Sequence, residues 1–238
     1  MAEGMGIFGE AAQAAAGMGI RISAEELAAL ASDRGMGEGE IAAVRTVFSY
    51  LAEQRRQKTV DTLLRLSRLP SREPKTFEGF DFSRIQGRDA GMLRKLPALA
   101  DLYAHRNIAF IGPEGIGKTH LAQAYGRACC MKGLRTYYLK ASELRDRLSR
   151  AAERGSVQRE VAALVKPSCL IVDEIGRCRF DRACTDMFFD IVDRRYEKDG
   201  PSTMVLTSNM SPSDWKGSFT GEDALLCALD RLFDNASV

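Results

Sequence analysis

Residues 112–119 read Gly-Pro-Glu-Gly-Ile-Gly-Lys-Thr, a GxxxxGK[ST] segment lying between the apolar run 108–111 and a run with helical spacing that opens at Gly117. No other feature constrains the chain as much. The pattern needs a strand that feeds a tight glycine loop and a helix that leaves it, and both neighbours are present. Gly112, Gly115 and Gly117 let backbone N–H groups converge, and the helix beginning at Gly117 would aim its positive dipole end at the same point. Such a loop cradles the phosphates of a nucleotide. Lys118 is expected to reach the β- and γ-phosphates of ATP, and the Thr119 hydroxyl to ligand Mg²⁺. The predicted nucleotide-binding segment is Gly112, Pro113, Glu114, Gly115, Ile116, Gly117, Lys118, Thr119 and His120.

Two later segments complete the expected site. Leu170-Ile171-Val172-Asp173-Glu174 is an apolar strand ending in two carboxylates. Asp173 would orient water on Mg²⁺ and Glu174 would polarise the attacking water as a general base. An Asp-Glu pair after a strand can also simply cap the next helix. Thr207-Ser208-Asn209 follows another apolar run, and the Asn209 amide is placed to hold the hydrolytic water or touch the γ-phosphate. Read alone, Ser-Asn after a strand is a turn.

From residue 107 onward β-like apolar runs alternate with helical ones. Strands are predicted at 108–111, 136–139, 169–172 and 203–206, with helices at 117–131, 141–165 and 181–197. Four strands separated by helices imply βαβ units and a buried parallel sheet, a three-layer α/β sandwich. Residues 1–20 read as a mobile tail or a loose helix. Ser23 starts a short helix, 38–51 places Ile41, Val44, Val47, Phe48 and Leu51 on one face, and 60–69 repeats the pattern. The prolines at 70 and 74 break it. The predicted division is a helical module over 1–70 and an ATPase domain over 71–238.

Composition adds mainly exclusions. The 238 residues are 45% hydrophobic and 28% charged, ordinary for a packed protein. Lys+Arg total 34 against 32 acidic residues, so any basic surface has to be local. Six cysteines without a CxxC pair read as reduced thiols. No apolar stretch is long enough to span a membrane and no signal peptide opens the chain, so a cytoplasmic protein is expected. The basic surface is best found at 55–75, where Arg55, Arg56, Lys58, Arg65, Arg68, Arg72 and Lys75 face only Asp61 and Glu73. Such a run can bind DNA phosphates without base preference. A solvated helix face explains it equally well. Arg145, Arg147, Arg150 and Arg154 form a second candidate.

With these residues in place, 55–238 resembles the AAA+ ATPases of the IstB type, helpers of insertion-sequence transposition that are similar to DnaC-family helicase loaders. The resemblance rests on Phe80-Asp81-Phe82, on 107–122 and 169–176, on 190–196, on Thr207-Ser208-Asn209 with Trp215, and on Leu229-Asp230-Arg231-Leu232. It implies the AAA+ fold, homo-oligomerisation on DNA (duplex favoured), and an arginine finger offered to a neighbouring subunit, carried over onto Arg231. An ordinary Asp-Arg surface pair is the other reading of that position. Family members continue into a further strand and a second sensor arginine, which these 238 residues do not carry.

The implied partner is a transposase, or a replicative helicase if the chain acts as a loader. A small-molecule kinase also carries a P-loop. A water-polarising glutamate suits hydrolysis more than transfer to an acceptor.

Overall fold

A computed structural model describes residues 6–85, 90–220 and 231–233. The chain forms two compact units, Met1–Thr62 and Leu63–Val238. Cys227, and Leu229 and Asp230 of the segment around Arg231, lie outside the described residues.

The first unit holds α1 (Ile7–Gly17), α2 (Ala24–Arg34) and most of α3 (Glu38–Leu66). The weak periodicity of 1–20 hides a regular helix whose buried face is made of Ala11 and Ala15, residues with too little apolar contrast to stand out in sequence. Ser23 caps α2 as expected: its Oγ accepts Glu26 N–H at 3.1 Å while the Glu26 carboxylate accepts Ser23 N–H at 2.7 Å. The two helical stretches read at 38–51 and 60–69 are one helix of 29 residues, because 52–59 contains no glycine or proline to interrupt it. It ends ahead of Arg68, which turns left-handed at φ 60.

In the second unit, α4 (Ala90–Leu93) and α5 (Ala100–Tyr103) precede β1 (Ile108–Ile111), α6 (Lys118–Met131), β2 (Thr136–Lys140), α7 (Ala141–Glu153), α8 (Val157–Val165), β3 (Cys169–Asp173), α9 (Arg182–Tyr196) and β4 (Thr203–Ser208). The helices expected over 141–165 are α7 and α8, separated at Gly155. The strands form one parallel sheet in the order β1-β4-β3-β2. Buried parallel strands carry apolar residues on both faces, and these do. Leu170, Val172, Met204 and Leu206 pack toward α7, α8 and α9. Cys169, Ile171, Val205, Ile108 and Phe110 pack toward α6 and α5. The result is the three-layer α/β sandwich expected from the sequence.

Two details fix the sheet's surroundings. A Cβ on Gly126 would stand 2.5 Å from Ile171 Cδ1, so glycine lets α6 sit close on β3. Arg195 of α9 is buried with no carboxylate partner among the described residues and donates to the carbonyls of Leu164, Val165, Pro167, Ser168 and Thr203, tying the α8–β3 turn to β4. Burial lowers its pKa to about 10. Cys129, Cys130, Cys169, Cys178 and Cys184 are free thiols. Among the described residues no helix is long and apolar enough to cross a membrane.

Candidate functional site

The parallel sheet brings the C-terminal ends of its strands to one side, where ligands bind in open α/β sheets. β1 runs into the 112–117 loop, β3 ends at Asp173, and β4 ends at Ser208, so the three sequence segments meet around one cleft of about 410 Å³. Its lining includes Glu114, Lys118, Thr119, Glu174, Arg177 and Asn209.

Asp173, bonded to the cleft residue Thr119, is 2% exposed. It lies on the same pleat face as Cys169 and Ile171, the face covered by α6, and beside Thr207 on the neighbouring strand. Its Oδ1 accepts the hydroxyls of Thr119, at 2.9 Å, and of Thr207. Its Oδ2 accepts the Tyr138 hydroxyl at 2.7 Å. Three donors offset the desolvation of a buried carboxylate. Burial and the Asp173 charge push the Tyr138 phenol well above its ordinary pKa, so it stays a donor. Thr207 Oγ1 also accepts Glu174 N–H at 2.9 Å, joining the two acidic residues through β4.

Glu174 adopts φ 64, a left-handed conformation costing on the order of 1–3 kcal/mol for such a residue. Its Oε1 accepts Arg177 Nη1 at 2.6 Å and its Oε2 pairs with Lys140 Nζ at 3.2 Å. Lys118 reaches back over the loop and donates to the carbonyls of Gly112 and Pro113 at 2.7 and 2.6 Å. Desolvation lowers its pKa, opposed by the charges of Glu114 and Asp173. Gly117 holds φ 95, and a Cβ there would stand 2.5 Å from Phe80 Cε2. His120, predicted as part of the binding segment, also lines the cleft, with Nε2 2.8 Å from Thr76 O and its ring edge-on to Phe80.

Asn209 Nδ2 donates to Glu114 Oε1 at 2.9 Å. Arg231 is not among the cleft's lining; it is half exposed and paired with Asp193 of α9. Of the basic run on α3, Arg55, Arg56, Lys58 and Arg65 are exposed. Arg68 is instead engaged by Glu143 at 2.8 Å and by the Tyr137 hydroxyl. In the second basic candidate, Arg147 is held by Glu160 and Tyr137 and Arg145 by Asp146, whereas Arg150 and Arg154 are exposed.

Sequence reasoning missed Tyr138, Lys140, Arg177 and the Thr207 hydroxyl. The first two alternate along β2 and would have been found from the register Lys140↔Asp173, had the strand order been known. Arg177 carried only the signal of standing three residues after Glu174.

The profile described as IstB-like ATP binding protein matches residues 17–238. A protein of Geobacillus stearothermophilus named for ATP binding in insertion sequence IS5376 is 36% identical over 186 residues, 78% of this chain and 72% of that one. A Pseudomonas aeruginosa protein named in the same way for IS21 is 35% identical over 184 residues, 77% and 67% of the two chains. Among solved structures, AMPPCP-bound DnaA from Aquifex aeolicus superposes with a TM-score of 0.56 at 22% identity, over 69% of this chain. The match spans about half of that DnaA, 48%. A DnaC helicase loader gives a TM-score of 0.50 at 19% identity, over 66% of this chain and 96% of the loader. At these identities the two structures speak to the fold alone, that of a P-loop AAA+ core.

Proposed function

The chain belongs to the IstB-like ATP-binding protein family, and we propose that it is an ATP-hydrolysing helper of insertion-sequence transposition that assembles on duplex DNA as a homo-oligomer and recruits or activates a transposase. The observation that carries the ATPase reading is the meeting of Lys118, Thr119, Glu174 and Asn209 in one cleft with Asp173 beneath them.

Lys118 and the N–H groups of the 112–117 loop grip the phosphates, while the start of α6 adds its dipole. The Thr119 hydroxyl and the Asp173 carboxylate would hold Mg²⁺: two hard oxygen donors 2.9 Å apart suit that ion. When bound, it supplies neutralisation of charge on the β- and γ-phosphate oxygens. Glu174 takes the proton of the attacking water, and Asn209 orients that water or touches the γ-phosphate. Arg231, on the surface and outside the cleft, supplies the finger to a neighbouring protomer's ATP. Arg55, Arg56, Lys58 and Arg65, exposed on α3, contact DNA phosphates.

A DnaC-like helicase loader is the second reading. The relatives at 35–36% identity are named for insertion sequences, whereas the likeness to the loader is one of fold, which favours the transposition helper.

Mixing variants tests the inter-subunit reading. Arg231→Ala protein keeps its own P-loop and Lys118→Ala protein keeps its finger, so a mixture with added duplex DNA is expected to turn over ATP faster than either alone. Arg231→Ala protein that is as active as the unmodified chain, with no gain on mixing, contradicts the finger assignment.

A further inference from the structure

Glu114 occupies one of the variable positions of the phosphate loop, yet it has two defined partners. Its Oε1 accepts Arg177 Nη2 at 2.6 Å and Asn209 Nδ2 at 2.9 Å. The other arm of the same guanidinium, Nη1, donates to Glu174 Oε1 at 2.6 Å. One oxygen therefore ties together the loops that follow β1, β3 and β4, and all four residues line the nucleotide cleft. Two donors, one a planar cation, converging on a single anionic oxygen beside a phosphate loop form the arrangement that would receive a phosphate oxygen.

We propose that Arg177 is a further phosphate-contacting residue of this ATPase, and that Glu114 is the internal carboxylate that holds its place. The inference rests on the ATP-binding reading of the cleft. A terminal phosphate carries more charge than a carboxylate and competes for the same two donors, while repelling Glu114 from the loop. Once Arg177 turns to that phosphate, Nη1 leaves Glu174 Oε1, and the base keeps only its pairing with Lys140 on Oε2. Exchange of one anion for another thus couples the presence of a terminal phosphate to the release of the base. That terminal phosphate is the γ-phosphate of ATP; ADP lacks it and leaves Glu114 where it is.

Arg177 and Glu114 are 56% and 70% exposed, and exposed ion pairs contribute little to folding. The consequence is therefore expected in nucleotide discrimination and not in stability. That separates the proposal from a plain surface salt bridge.

Calorimetric titration of the full chain with ADP and with a non-hydrolysable ATP analogue, alongside steady-state ATP turnover, tests it. Glu114→Gln is expected to tighten the ATP analogue by about threefold to tenfold and leave ADP unchanged. Arg177→Ala is expected to weaken the ATP analogue by about tenfold, leave ADP unchanged and lower kcat, with Arg177→Lys recovering part of the affinity. Thermal midpoints of the three variants should match that of the unmodified chain. If the variants move both ligands equally, or neither, the proposal is wrong although the ATP-binding reading stands. An unmodified chain that binds neither nucleotide overturns both.

Discussion

Thr119 Oγ1 donates to Asp173 Oδ1 at 2.9 Å, which fastens the first turn of α6 to the last residue of β3. The contact joins residues 54 apart in sequence and places a hydroxyl and a carboxylate together at the floor of the cleft. Because Asp173 is buried, each of its donors should be visible in folding stability as well as in function.

Tyr138→Phe removes the donor to Asp173 Oδ2 and leaves that oxygen short of a partner in a buried place. A loss of about 1–3 kcal/mol in unfolding free energy is expected, read from urea or guanidinium titration. An unchanged midpoint would show that the phenol is dispensable to the carboxylate.

The basic face of α3 predicts a different signature. Reversing Arg55, Arg56 and Lys58 to Glu should weaken binding to unrelated duplex sequences alike and flatten the dependence of affinity on salt, since phosphate contacts carry no base information. Binding isotherms at several salt concentrations measure both. Unchanged affinity and slope would assign these side chains to a solvated face.

Lys198 donates to the carbonyls of Lys166 and Pro167, both at 3.0 Å. Burial, with Arg195 and Arg135 nearby, lowers its pKa from 10.5 to about 8. Below about pH 8 both folded and unfolded chains hold the proton, and the cost of burying the charge is at its fullest. Between about 8 and 10.5 the unfolded chain binds the extra proton, so this residue's contribution to stability rises with pH across that window. Lys198→Met should flatten the rise. Denaturation midpoints of the two proteins near neutral pH and near pH 9.5 test it, and parallel pH dependences would contradict the shift.

The parts of the site that were legible in sequence are those set by short spacing. The 112–119 loop, the Asp173-Glu174 pair and Asn209 each follow an apolar run, and a parallel sheet delivers the ends of its strands to one side. What stayed hidden depends on strand order and on long-range pairing. Tyr138 and Lys140 matter because β2 lies beside β3, and Arg177 meets Glu114 across 63 residues. The N-terminal helix was obscured because Ala11 and Ala15 bury little apolar surface. Arg68 looked like a member of the basic face, but the left-handed turn after α3 directs it to Glu143 and Tyr137.

The most direct test of the site is to measure ATP affinity and ATP turnover in parallel for Lys118→Ala and Glu174→Gln. The proposed function gives Lys118 the grip on the phosphates and Glu174 the activation of water, so the two variants should fail differently. Lys118→Ala is expected to lose ATP binding, and Glu174→Gln to bind ATP like the unmodified chain while its turnover falls by about two to four orders of magnitude. Normal turnover in Glu174→Gln, or undiminished ATP affinity in Lys118→Ala, would contradict the account.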